Sequence, residues 1–169
     1  EPIRQCFPKA SLASEFFNQL SQSLEEQHKF TPANTRFAEG TCCDEINEPE
    51  LQRLEQYWGE RFKFGGLAGY CHGGRTSLGA VTHHVPKENG QRNLLLVGGP
   101  HIGWHDGTWG EVPRVGQGEI TTSCSALMAI VEAGYAGLQP KTMDPLDSQQ
   151  FLVERIMLPF LKKADGGGR

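Results

Sequence analysis

The stretch Asn93-Leu94-Leu95-Leu96-Val97-Gly98-Gly99-Pro100 decides the fold. Its apolar run is short, unalternated and closed by a Gly-Gly-Pro exit, so Asn93–Val97 reads as a parallel strand covered on both faces. Upstream, Leu78 to Val85 reads as a second strand, and Arg36 to Cys43 as a third that runs into a turn. Helical spacing appears on either side. From Ser11 to His28, Leu12, Phe16, Phe17, Leu20 and Leu24 form one stripe, with Ser11 placed as N-cap. Pro49 opens a helix that carries Leu51, Leu54, Tyr57 and Trp58 on one face, and Gly59 closes it. Downstream, Asp106-Gly107 inside Trp104–Gly110 signals a hairpin. Ser123 to Tyr135 reads as a helix with Leu127, Ile130 and Val131 inward. Ser148 to Lys163 reads as a last helix carrying Phe151, Leu152, Ile156, Met157, Phe160 and Leu161, bent by Pro159. No repeat or linker divides the chain. The expected fold is a single α/β domain over residues 1–163, a short mostly parallel sheet flanked by helices, with a disordered tail at 164–169.

Composition narrows the function. The chain has 169 residues, enough for one domain with a sizeable core. Sixteen Lys and Arg against 20 Asp and Glu give a net charge of −4, which argues against a nucleic-acid groove or a polybasic membrane anchor. A mean hydropathy of −0.45 and the lack of a long apolar run exclude a membrane-spanning helix. The N-terminal EPIRQCF shows no signal-peptide pattern. Five cysteines, Cys6, Cys42, Cys43, Cys71 and Cys124, make an odd set without a Cys-x-x-Cys pair, so a disulfide framework is not expected. Reduced thiols in an intracellular protein are the expectation.

Chemistry concentrates at the ends of the inferred strands. Cys42-Cys43-Asp44 ends one, His83-His84 ends another, and Cys124 opens a helix after a Gly-rich loop. In an open α/β sheet such ends face one crevice. Two thiolates and an imidazole would fill three corners of a zinc tetrahedron and leave the fourth for water. The wide sequence separation excludes a zinc finger and suits a site assembled from distant segments. Cys43 and His83 stand as alternates to their neighbours; strand alternation allows one of Cys42 and Cys43 to point inward, and Cys42 shares a side with Asp44.

The motifs are also recognisable. CCDEIN at Cys42–Asn47, FGGLAGY at Phe64–Tyr70 and HVP at His84–Pro86 resemble the limiting-CO2-inducible protein B family, related to the theta-class carbonic anhydrases. So do GGPHIGWHDGTWG at Gly98–Gly110, RVGQG at Arg114–Gly118 and TTSCSAL at Thr121–Leu127. The resemblance implies a β-carbonic-anhydrase-like fold, zinc held by Cys42, His84 and Cys124, and CO2 and bicarbonate as the substrate pair. It implies Asp44 beside the metal, orienting the attacking hydroxide, and a homodimer or a higher hetero-oligomer with a paralogue. An algal plastid is the implied compartment. The chain departs from the β-class pattern Cys-x-Asp-x-Arg, because Ile46 stands where the Arg would hold the Asp off the metal. Arg75 is the nearest substitute cation in sequence. Without one, Asp44 would close the site and hydration would be slow or absent.

Other candidates carry less. His101 and His105, in a Gly-rich turn, can ferry protons or hold the turn by hydrogen bonds. Gly98-Gly99 and Gly116-x-Gly118 lack the Lys-Ser/Thr ending of a phosphate loop, so close backbone packing is their expected role. Cys71-His72 are neighbours poorly placed for proton transfer. Two rival readings stand beside the carbonic anhydrase: a non-catalytic zinc-stabilised interaction subunit, and a cysteine hydrolase that uses Cys124 at a helix N-terminus.

Overall fold

The computed structural model describes residues 2–71, 74–137 and 142–166. The first elements are α1 (Pro2–Cys6), α2 (Ala13–His28), β1 (Thr35–Glu39) and α3 (Glu48–Trp58), the last preceded by a 3-10 turn at Glu45–Asn47. Short strands β2 (Phe62–Lys63), β3 (Gly66–Leu67) and β4 (Tyr70–Cys71) lead to α4 (Gly74–His84) and β5 (Asn93–Val97). Next come β6 (Trp104–His105), β7 (Thr108–Trp109), β8 (Glu111–Pro113), β9 (Ile120–Thr122), α5 (Ser125–Tyr135) and α6 (Ser148–Gly166). No helix among the described residues is long and apolar enough to cross a membrane.

The central sheet is parallel throughout, in the order β2-β1-β5, with Thr35 opposite Asn93 and Glu39 opposite Val97. The sheet packs Phe37 and Leu95 against Leu51, Leu54 and Trp58 of α3 and Phe17 and Leu24 of α2. Trp58 Nε1–H donates to Ser21 Oγ at 3.1 Å, which satisfies the indole inside this layer. Gly59, at φ 84°, ends α3 in a conformation that L side chains resist. The other face of β5 is less covered than its sequence implies, for Leu96 keeps 40% of its surface. A second core surrounds Cys42 and Cys124 with Ala68, Ile130, Val153 and Leu158, where α5 and α6 pack together. Gly134 permits that approach: a Cβ there would lie 2.7 Å from Leu161 Cδ1.

Two hairpins turn through paired positive φ angles, Ala68-Gly69 at 55° and 78° and Asp106-Gly107 at 42° and 90°. These are the primed turns that match strand twist.

The segment from Leu78 to Val85, expected as a strand, is helical instead. Its β-branched residues suggest a strand, but Val81 and Val85 are buried at a spacing of four while Leu78 is exposed. Thr82 Oγ1–H donates back to the Gly79 carbonyl at 2.6 Å, the bond a helical threonine makes. α2 begins at Ala13 with Leu12 as N-cap and no side-chain cap, so Ser11 lies outside it. α6 turns Val153, Met157, Leu158 and Leu161 inward, leaves Leu152, Ile156 and Phe160 exposed, and continues to Gly166. The rest of the expected tail, residues 167–169, lies outside the described residues, as do His72 and Gly73.

Candidate metal centre

The carboxyl ends of two neighbouring parallel strands build the site, where open α/β sheets place their ligands. After β1, Gly40 N–H continues the ladder to the Val97 carbonyl at 2.9 Å. Glu39, buried at the strand end, then accepts from Thr41 N–H at 2.9 Å and from Thr41 Oγ1–H at 2.8 Å. Cys43 N–H bonds the Gly66 carbonyl, and Asn47 Nδ2–H bonds the Cys42 carbonyl. So pinned, the loop buries Cys42 and leaves Cys43 exposed. After β5, the chain threads between close-packed glycines. A Cβ on Gly69 would sit 1.8 Å from the Gly99 carbonyl oxygen, and one on Gly98 would meet Cys71 Sγ at 3.1 Å. Gly116 and Gly118 have open space around them, and Gly116 serves a positive φ of 79°. Close packing therefore accounts for Gly69 and Gly98, whereas a Cβ on Gly99, as on Gly116 or Gly118, would meet open space.

This path brings His101 to the cysteines. One ligand atom from each of Cys42, His101 and Cys124 lies within 4.8 Å of the others, and this is the one such group of three among the described residues. The two sulfurs are 3.9 Å apart. Sulfurs bound at 2.3 Å to a common tetrahedral zinc would be about 3.8 Å apart, so the spacing suits that ion. Both ring nitrogens of His101 are buried with no hydrogen-bond partner. An imidazole in that state is costly unless something else satisfies it, and a metal bond does so. Burial, helped by Arg114, holds the His101 pKa down against the pull of Asp44, which favours the neutral form that ligates. Burial together with the Cys42 thiol pushes Cys124 up to about 11, a shift that a cation at the site would reverse. The residues fit a divalent metal.

His84, the histidine expected at this position, is elsewhere. It ends α4, exposed, with its ring 5.7 Å from that of Phe62 on the edge strand. The physical reason is the helix: α4 ends with His83 and His84 at the surface and not at the end of a strand of the central sheet. His105 sits at the β6–β7 turn with Nε2 3.7 Å from Asp106, outside the ligand group.

Asp44 lies at the edge of the group, its side chain 8% exposed, with Oδ2 4.0 Å from His101 Nε2. It accepts Cys124 N–H at 3.1 Å and caps the 3-10 turn through Ile46 N–H at 3.4 Å. Arg114, which follows β8, grips it with both terminal nitrogens, Nη1 to Oδ1 at 2.7 Å and Nη2 to Oδ2 at 3.3 Å. Arg114 is itself held. Its Nε–H donates to Thr121 Oγ1, and Nη2–H donates to the Thr122 carbonyl at 3.0 Å, both on β9. Its Nη1–H is shared with Glu45. Burial alone would raise the Asp44 pKa, but the bonds from Arg114, Cys124 and Ile46 outweigh it and hold the carboxyl at about 2. Arg75, the expected cation, is exposed in the first turn of α4. Arg114 opens the RVGQG motif, but nothing in that motif pairs it with Asp44, because the β8–β9 hairpin delivers it there. His101 could have been found as a ligand by the strand-end rule, had the segment before it been read as a helix.

Beside these groups opens a cleft of about 230 Å3, lined by Cys42, Cys43, Asp44, Leu67, Arg114 and Cys124 among others. It admits a small molecule.

Comparison with known proteins matches this architecture. No curated protein matches the chain significantly. PtLCIB4, a homolog of the limiting CO2-inducible protein LCIB, superposes with a TM-score of 0.83 at 31% identity, over 98% of this chain and 68% of that one. The structure of LCIB superposes with a TM-score of 0.72 at 21% identity, over 94% of this chain and 63% of that one, a likeness of fold. The family model of limiting CO2-inducible proteins B/C, β-carbonic anhydrases, matches residues 11–167. With nearly the whole chain covered, the protein belongs to the limiting CO2-inducible protein B/C family of β-carbonic anhydrases.

Proposed function

We propose that Cys42, His101 and Cys124 hold a zinc ion and that the chain catalyses reversible hydration of CO2 to bicarbonate, in the concentration or recapture of inorganic carbon. The observation that carries this reading is Asp44, an ionised carboxylate locked beside the three ligand atoms by a two-pronged arginine. Zinc at such a site supplies a Lewis acid that lowers the pKa of water and produces a nucleophile at neutral pH.

The chain's own residues do the rest. Asp44, held at about 2, is acceptor-only at neutral pH. It takes a hydrogen bond from the attacking water and turns an oxygen lone pair toward the CO2 carbon in the cleft. A carboxyl this acidic does not keep the proton, which passes to solvent through the open mouth of the cleft. Arg114 keeps Asp44 in that role. The paired N–H···O bonds fix both carboxylate oxygens, so Asp44 stays out of the ligand group although Ile46 replaces the usual arginine. The neutral imidazole of His101 and the buried thiols of Cys42 and Cys124 complete a donor set of nitrogen and sulfur, which zinc prefers over calcium or magnesium.

We further propose that two copies pair. Leu12 at the N-cap of α2 and Phe16 within it, and Leu152, Ile156 and Phe160 on α6, leave apolar side chains exposed that a second copy would cover, and light scattering at twice the chain mass would support this.

The experiment is a stopped-flow CO2-hydration assay on protein with one zinc per chain, on the chelated protein, and on the reconstituted protein. Hydration that disappears with the metal and returns with it supports the reading. A zinc-loaded protein no faster than buffer at neutral and alkaline pH overturns the catalytic assignment and leaves a metal-stabilised binding subunit.

A further inference from the structure

We infer that Ser123 is a positioning residue of the metal centre, fixing His101 against Cys124; the inference rests on the reading of Cys42, His101 and Cys124 as the ligands. Ser123 directly precedes Cys124 and is 1% exposed. Its hydroxyl oxygen accepts the N–H of Gly103, two residues beyond His101, at 2.5 Å. The Gly103 carbonyl accepts Gly110 N–H at 2.8 Å, and the Gly110 carbonyl accepts Ser123 N–H at 2.7 Å. Three hydrogen bonds thus close a ring among the loop after β5, the end of the β6–β7 hairpin and the turn into α5. Only glycine fits at 103, since a Cβ there would lie 2.4 Å from Val112 Cγ1 and 2.8 Å from Ser123 Oγ.

Two features make this ring matter for the metal. Ligating histidines are ordinarily aimed by a hydrogen bond on the ring nitrogen that faces away from the metal. His101 has no hydrogen bond on either nitrogen, so its aim comes from its backbone, and the backbone is held at Gly103. Cys124 stands at φ 50°, ψ 57°, a left-handed conformation that is strained for a non-glycine residue and persists only under restraint. Ser123 supplies that restraint on the N-terminal side. One side chain therefore sets the distance between an imidazole and a thiol from separate segments.

The test is a double-mutant cycle on zinc affinity, measured by competition with a chromophoric chelator. Ser123→Ala should weaken zinc binding roughly 10- to 100-fold, the range for residues that orient ligands. In a His101→Ala background the same change should cost several-fold less than in the parent, because only the Cys124 side of the ring is then left to serve. A loss of equal size in both backgrounds, or Ser123→Ala within about twofold of the parent, overturns the inference. If His101→Ala itself binds zinc as tightly as the parent, the ligand assignment fails, and the inference with it. Should Ser123→Ala be too unstable to titrate, the parent protein decides. Binding energy is reciprocal, so zinc must tighten the ring, and Gly103 N–H should exchange with deuterium more slowly in the loaded than in the metal-free protein. Equal exchange rates refute the coupling.

Discussion

Replacing Asp44 by Asn removes one charge and almost no volume, and the structure sets the size of two effects. In the metal-free protein Asp44 ionises at about 2, against an ordinary 3.8. At 1.36 kcal/mol per unit, and trimmed for solvent screening, that difference contributes about 2 kcal/mol to folding. The folded pKa lies below the unfolded one. The contribution is therefore complete above the unfolded value and is lost as pH falls through the folded one. Asp44→Asn should lower stability at neutral pH by about 2 kcal/mol, a Tm shift of about 4–8 °C for a chain of this length. The gap should narrow from the unfolded value downward and close as pH falls below about 2, where the parent carboxylate takes up its proton. The amide would also turn its N–H2 toward the Arg114 guanidinium and cannot accept both forks. For catalysis, Asp44→Asn should keep its zinc, because Asp44 is not among the three grouped ligands. Hydration should fall roughly 10²- to 10⁴-fold, the usual contribution of a positioned proton-handling side chain. Thermal melts across the acid range and stopped-flow hydration with metal analysis measure both. Unchanged hydration, loss of zinc, or a stability gap that does not narrow on acidification would refute the reasoning.

Metal analysis of His101→Ala should show the ion lost after mild chelation, while His84→Ala keeps one per chain; the reverse pattern would return the ligand role to His84. Arg114→Gln should cut hydration about 10-fold or more by releasing the Asp44 carboxylate. Arg75→Gln should leave the rate unchanged, and a drop equal to that of Arg114→Gln would show that the cation has been misplaced. Ile46→Arg should bring no gain, since Arg114 already occupies both carboxylate oxygens; a clear rise in rate would mean that Arg114 does not hold Asp44 in solution.

The sequence by itself determined the elements whose signals are local. The stripe of α2, Pro49 and Gly59 around α3, the apolar run of β5 and the Asp106-Gly107 turn each depend on residues a few positions apart, and each element forms there. It also placed Cys42, Asp44 and Cys124 at one crevice, because the loop after a parallel strand and the start of a following helix share an end of the sheet. Tertiary structure decided the rest. Over 74–84, β-branched residues and a four-residue spacing give opposite readings, and burial of Val81 and Val85 against the fold selects the helix. That choice sends His84 to the surface and leaves His101, on the loop after β5, as the histidine that meets the thiols. Arg114 is the clearest case. It reaches Asp44 from 70 residues away through a two-stranded hairpin, and no pattern within either segment records the other. Local periodicity reports the few residues around a position, whereas a bidentate ion pair between distant segments exists only once the chain has closed on itself.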